Sequence, residues 1–130
     1  MLQDKKQLSE SAIQTAAFTW FHNAYPEYRG LLFSVPNGGR RSKREAARLK
    51  YEGLTPGVPD MLFMWNGRVH GFEFKTEQGV WSDEQRNIAA VWYKQRIHIT
   101  TIRSVEFFQE RLEFIMSTKE YIMFVDELRR

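Results

Sequence analysis

The chain has no cysteine. A disulfide scaffold and a cysteine-based metal site are therefore excluded, and the composition suits a reducing compartment. The first ten residues, MLQDKKQLSE, lack the apolar core of a signal peptide, and no apolar run approaches the roughly 20 residues of a membrane span. A soluble protein without membrane partners is expected, intracellular and cytoplasmic. The three histidines, His22, His70 and His98, show no spacing that would gather them on one metal. Internal repeats and low-complexity linkers are missing as well.

What is present argues for a folded globule. Of the 130 residues 42% are hydrophobic and 15% aromatic, enough for an ordinary core and too few residues for two, so 1–130 reads as a single domain. The net charge of +3 is unevenly spread. Arg40 to Lys50 holds six basic residues and one acid, a net of +5 that leaves the rest of the chain at −2. Such a block is a candidate footprint for a polyanion.

Helical spacing of Leu8, Ala12, Ile13, Ala16, Ala17, Trp20, Phe21 and Ala24 predicts a first helix over Ser9 to Ala24, with Ser9 as N-cap and Glu10 in the first turn. A carboxylate there is favoured by the helix dipole alone. Leu31 to Val35 reads as a short buried strand, ended by Pro36-Asn37-Gly38-Gly39, whose glycines permit positive φ and close approach of a ligand. Ser42 caps a second helix to about Tyr51, with Ala46, Leu49 and Tyr51 available to the core. Arg41, Arg44 and Arg48 form a basic stripe supported by Arg40, Lys43 and Lys50. Such a stripe is either solvated surface or a set of phosphate contacts.

The stretch from Gly57 to Lys75, GVPDMLFMWNGRVHGFEFK, carries the strongest local signal. Asn66-Gly67 between two strand-like runs predicts a two-residue type I′ hairpin. Counting outward from that turn pairs Trp65 with Arg68, Phe63 with His70, Met61 with Phe72, and Asp60 with Glu73. Lys75 lies on the face of Glu73, one pleat further on. Carboxylates so paired stand about 4.5–5.5 Å apart at Cβ and repel, and a divalent cation is the natural compensation. Leu62, Met64 and Val69 on the carboxylate side, and Met61, Phe63, Trp65, Phe72 and Phe74 on the other, imply a sheet covered by helices on both faces. His70 falls among the aromatics and reads as structural.

Downstream, Ser82-Asp83-Glu84-Gln85 matches a capping box, with Gln85 as its N3 residue. Ile88, Ala89, Val91 and Trp92 give that helix an apolar side to about Gln95. Ile97 to Ile102 reads as the last strand, parallel to a neighbour across the helical crossover. Val105 to Met116 and Glu120 to Leu128 read as two further helices. Phe107, Phe108, Phe114, Ile115, Tyr121, Ile122, Phe124 and Val125 exceed the aromatic and apolar surface one small core needs, which suggests a dimer interface.

In order, SES, VPNGG, GVPD, EFK and SDEQ resemble the VRR-NUC branch of the PD-(D/E)XK nucleases, known from phage proteins and a eukaryotic repair nuclease. The likeness covers most of Ser9 to about Arg103. It implies an α/β fold with a restriction-endonuclease-like core, a mixed central sheet of about four strands flanked by helices. It also implies a metal-dependent DNA endonuclease acting on branched or Holliday-junction-like DNA, working as a homodimer, and possible phage origin. In that reading Asp60, Glu73 and the Phe74 backbone carbonyl hold Mg²⁺ or Mn²⁺. Glu10 supports that ion or a second one, Lys75 acts on the attacking water, and Gln85 helps hold the water or the phosphate. Asn37, Gly38, Gly39, Arg40, Arg41, Lys43, Arg44 and Arg48 face the DNA. The alternative is a nucleic-acid-binding or assembly protein with the same fold that does not cut.

Overall fold

The computed structural model describes residues 8–37 and 41–117. Its organising element is the hairpin of β2 (Met61–Trp65) and β3 (Arg68–Phe74). Asn66 and Gly67 take φ of 50° and 75°, the pair of positive values a type I′ turn demands. The turn sets the register at Trp65↔Arg68, Met64↔Val69, Phe63↔His70, Leu62↔Gly71 and Met61↔Phe72, as the sequence predicts. β1 (Leu32–Ser34) joins β2 antiparallel. β4 (Ile99–Ile102) joins β3 in parallel, which completes a mixed sheet in the order β1-β2-β3-β4. The parallel pair requires a crossover, and α3 (Asp83–Lys94) lies within it.

One face of the sheet packs on α1 (Glu10–Ala24) and α4 (Val105–Ser117). Ser9 accepts the Ala12 N–H and starts α1, so that Ile13, Ala17 and Phe21 point inward together. Phe108, Leu112 and Ile115 of α4 meet them over Met61, Phe63, Phe72 and Phe74. The rings interlock edge to face: Phe108 lies 5.1 Å from Phe72 and 6.1 Å from Trp20, and Phe21 lies 5.7 Å from Phe63. His70 is buried on this aromatic face, 6.4 Å from Phe63.

The opposite face differs from the expectation of equal cover. Leu62, Met64 and Val69 are only half-buried, because neither α2 (Lys43–Tyr51) nor α3 contributes a fully buried side chain. Tyr51, assigned to the core from helical spacing, is 94% exposed. The reason is length: a nine-residue helix with mostly charged residues has no apolar stripe wide enough to seat. The strand expected over Leu31 to Val35 is shorter and lies at the sheet edge, where Leu32 is buried and Phe33 is exposed. Leu8 is half-exposed and Ala24 exposed, so the first helix buries a narrower stripe than its spacing suggests. The expected helix over Glu120 to Leu128, with Tyr121, Ile122, Phe124 and Val125, lies outside the described residues. Among the described residues no helix is long and apolar enough to cross a membrane.

Phe108→Ala should therefore lower unfolding free energy by about 3–5 kcal/mol. Tyr51→Ala should stay within about 0.5 kcal/mol of the parent. Denaturant melts of the two variants check the contrast, and equal losses would contradict this placement of the core.

Candidate active site

Asp60 stands at the mouth of β2, one residue beyond the last ladder pair, and both neighbouring strands grip it. Its carbonyl accepts the Val35 N–H at 2.8 Å, on the β1 side. Its carboxylate accepts the Phe74 N–H at 2.7 Å, on the β3 side. The side chain thus satisfies a backbone donor that the ladder no longer reaches.

Glu73 lies beside it, only 3% exposed. Its pKa is pushed up to about 8, first by burial, then by the charge of Asp60 and a hydrogen bond with it, with a smaller push from Glu10. Lys75 opposes the rise. The residue is 9% exposed, and its ammonium stands 4.0 Å from Glu73 Oε1. The Lys75 backbone N–H donates to Ile102 at 2.9 Å, which anchors the residue to β4.

Gln85 does two things at once. Its side-chain oxygen accepts the Ser82 N–H at 2.8 Å, while its backbone N–H donates to the Ser82 hydroxyl at 3.2 Å, which closes the capping box of α3. Because the oxygen is engaged there, the amide nitrogen faces the sheet and donates to Glu73 Oε1 at 2.8 Å. The helix cap and the acid pair therefore share one side chain.

Glycines let the parts close up. Gly57 has φ of 93°, and a Cβ there would run into the Glu84 carbonyl and lie 2.9 Å from the Gln85 nitrogen. The GVPD loop thus rests directly on the first turn of α3, which couples Asp60 to Gln85. Pro59 sits where a Cβ on Gly71 would meet it at 2.9 Å. At the far side, a Cβ on Gly79 would lie 3.4 Å from both Glu10 Oε1 and Lys75 Cδ, so these two side chains flank that glycine. A cleft of about 270 Å³ opens between Asn37, Gly57, Asp60, Ser82 and Gln85. The close-packing roles of Gly57, Pro59, Gly71 and Gly79 have no clear signature in the chain, since each depends on a neighbour distant in sequence.

Other expected residues are more scattered. Among the described residues no three His, Asp or Glu side chains converge into a ready-made cation cage. Asn37 donates its side-chain N–H to Thr55 at 2.9 Å and borders the cleft. Arg41 precedes the Ser42 cap and so is not on the helix, while Lys43 and Arg44 are exposed in its first turn. Arg48 is paired with Glu52 at 3.0 Å, which breaks the continuity of the basic stripe. Gly38, Gly39 and Arg40 lie outside the described residues.

The architecture is α/β with a four-stranded mixed sheet flanked by helices, a restriction-endonuclease-like fold. A solved structure described as a "VRR_NUC domain protein" has the same fold, with a TM-score of 0.69 over 86% of this chain and 91% of that chain at 17% sequence identity. No protein-family profile matches the chain, and no curated protein matches it by sequence.

The acid pair makes stability depend on pH. With an ordinary value of 4.5 and a folded value of about 8, Glu73 keeps its proton in the fold after the unfolded chain has lost it. Metal-free protein should therefore lose stability between about pH 4.5 and 8, by at most about 1.4 kcal/mol per pH unit, and level off above. Thermal melts in EDTA across this range measure the slope, and Glu73→Gln should flatten it. An unchanged slope in that variant would contradict the pairing.

Proposed function

We propose that the chain is a divalent-metal-dependent DNA endonuclease acting on branched or Holliday-junction-like substrates. The observation that supports it best is the acid pair Asp60 and Glu73, with Lys75 at 4.0 Å and Gln85 at 2.8 Å from the same glutamate oxygen. Nothing in an ordinary sheet rewards that arrangement, because buried like charges cost stability. The donors fit an oxygen-seeking ion: Asp60, Glu73 and the Phe74 carbonyl would hold Mg²⁺ or Mn²⁺, with Glu10 as support. Such an ion supplies charge neutralisation at the phosphate and a lower pKa for water.

The chain's own groups do the rest. Gln85 fixes the rotamer of Glu73 and keeps one oxygen engaged. Lys75 directs its N–H donors at the attacking water or at charge building on the phosphate. Arg41, Lys43 and Arg44 would neutralise phosphates of incoming DNA without reading sequence, with Asn37 beside them, and Gly38, Gly39 and Arg40, outside the described residues, belong to the same proposed set. Arg48 joins them by exchanging its exposed Glu52 partner, at small cost. Phe107 and Phe114 remain exposed on α4, and we assign them to a homodimer contact that would present two sites to two strands. Light scattering reads that assembly directly, and a monomer with and without DNA would contradict it.

Purified protein should cut plasmid or four-way-junction DNA with Mg²⁺ or Mn²⁺ and not with EDTA. Asp60→Ala and Glu73→Ala should abolish cutting, and Lys75→Ala should slow it roughly 10²–10⁴-fold with the fold intact. DNA binding without cutting by the parent protein would favour the non-cleaving alternative.

For the basic residues, glutamine at Arg41, Arg44 and Arg48 together should flatten the log–log salt dependence of binding by about 0.9 per lost phosphate contact. Titrations at several salt concentrations measure it, and an unchanged slope would make α2 ordinary solvated surface.

A further inference from the structure

After Lys75 the chain turns through Thr76, Glu77, Gln78 and Gly79, closed by the Gly79 N–H donating to Thr76 at 3.1 Å. One side of this turn meets the candidate site. Gly79 neighbours both Glu10 and Lys75, whose Oε1 and Cδ each lie 3.4 Å from the position a Cβ would take. The other side meets Arg103. One terminal guanidinium nitrogen of Arg103 donates to the carbonyls of Thr76 at 2.6 Å, Gly79 at 2.8 Å and Glu77 at 3.1 Å.

Sheet register explains how a residue so distant in sequence arrives there. Phe74 pairs with Ile102 in the parallel ladder, so Lys75 and Arg103 leave the sheet side by side. Arg103 then sits between two fixed points, the last residue of β4 and Ser104, whose hydroxyl accepts the Phe107 N–H at 3.1 Å and starts α4. Three carbonyl dipoles crowded together repel unless a cation sits among them, and a charge-assisted bond of this kind is stronger than a neutral one. Glu77 and Glu106 line a hollow beside Arg103, where their negative charge favours the guanidinium further.

We propose that Arg103 is a positioning residue for the candidate active site: by gathering three carbonyls it presses the Thr76–Gly79 turn against Lys75 and Glu10 and keeps both in place. The catalytic half of this statement rests on the nuclease reading. Its geometric half does not, and the experiment separates them.

The geometric readout is amine footprinting of the full-length protein by acetylation and mass spectrometry, without DNA or metal. Lys75 is nearly buried, whereas Lys94 is exposed and serves as internal standard. In Arg103→Met, which keeps the stem and removes the donors, Lys75 should acetylate several-fold faster relative to Lys94. Amide exchange over residues 76–80 should also quicken. Arg103→Lys, whose ammonium carries three donors, should restore most of the protection. Should Arg103→Met fail to fold, Arg103→Gln carries the same comparison. Unchanged Lys75 reactivity in a folded variant overturns the proposal, whatever the protein does to DNA.

The catalytic readout is kcat against KM on the DNA the parent cuts. Misplacing Lys75 and Glu10 should lower kcat by roughly tenfold to a hundredfold, with KM changed less than about twofold and kcat recovered in Arg103→Lys. A normal kcat beside a loosened Lys75 also overturns the proposal. If the parent protein cuts no DNA with either ion, the nuclease reading fails by itself, and the footprinting result alone decides whether Arg103 positions Lys75.

Discussion

Glu73 is held in a nearly dry position beside Asp60, and neither can move away, because one is fixed by strand register and the other by hydrogen bonds to two strands. The surrounding groups each relieve part of the resulting repulsion. The Phe74 N–H takes one oxygen of Asp60, the Gln85 amide takes one oxygen of Glu73, and Lys75 brings a positive charge to 4.0 Å. Relief is incomplete, and the remainder appears as a proton that Glu73 retains to about pH 8. A cation in place of that proton would relieve the same repulsion, and this is the physical basis on which a divalent ion is proposed there.

Holding that pair requires three segments far apart in the chain to close on one point. Gly57 brings the loop before β2 onto the first turn of α3, at a distance no side chain would tolerate. Pro59 occupies the space that Gly71 leaves on β3. Gly79 leaves room for Glu10 of α1 and the stem of Lys75 beside the same turn. Each close approach is a negative requirement, the absence of a Cβ, so it constrains geometry without adding a favourable contact of its own.

Local chemistry was readable from the chain, and distant packing was not. Asn66-Gly67 announces a turn type through its own backbone preference, and once the turn is known the whole hairpin register follows by counting. The serines at 9, 42 and 82 behave as caps for the same reason, since each acts on an N–H three residues away. Tyr51 is exposed although helical spacing points it to the core, because spacing shows which residues share a face and not whether anything covers that face. Gln85 carries a capping signal and a site role together, because an amide has an acceptor and donors and can serve both. Arg103 gave no signal, since its partners lie 24 to 27 residues away and are backbone carbonyls, which no residue type advertises.

The two faces of the sheet divide the energetic tasks unequally. The clustered apolar core lies on the face shared with α1 and α4, where rings meet edge to face and the small domain finds its stability. The carboxylate face has half-buried Leu62, Met64 and Val69 under helices that bury no complete side chain. A fold of this size has only about 5–15 kcal/mol of net stability, so a buried like-charge pair set within the aromatic core would consume much of it and disturb the packing. On the thinner face the same pair disturbs little that the core depends on. A cleft of about 270 Å³ lies on this side, beside Asp60 and Gln85. Strong packing and a buried like-charge acid pair are compatible here because the pleat of two strands sends their side chains in opposite directions.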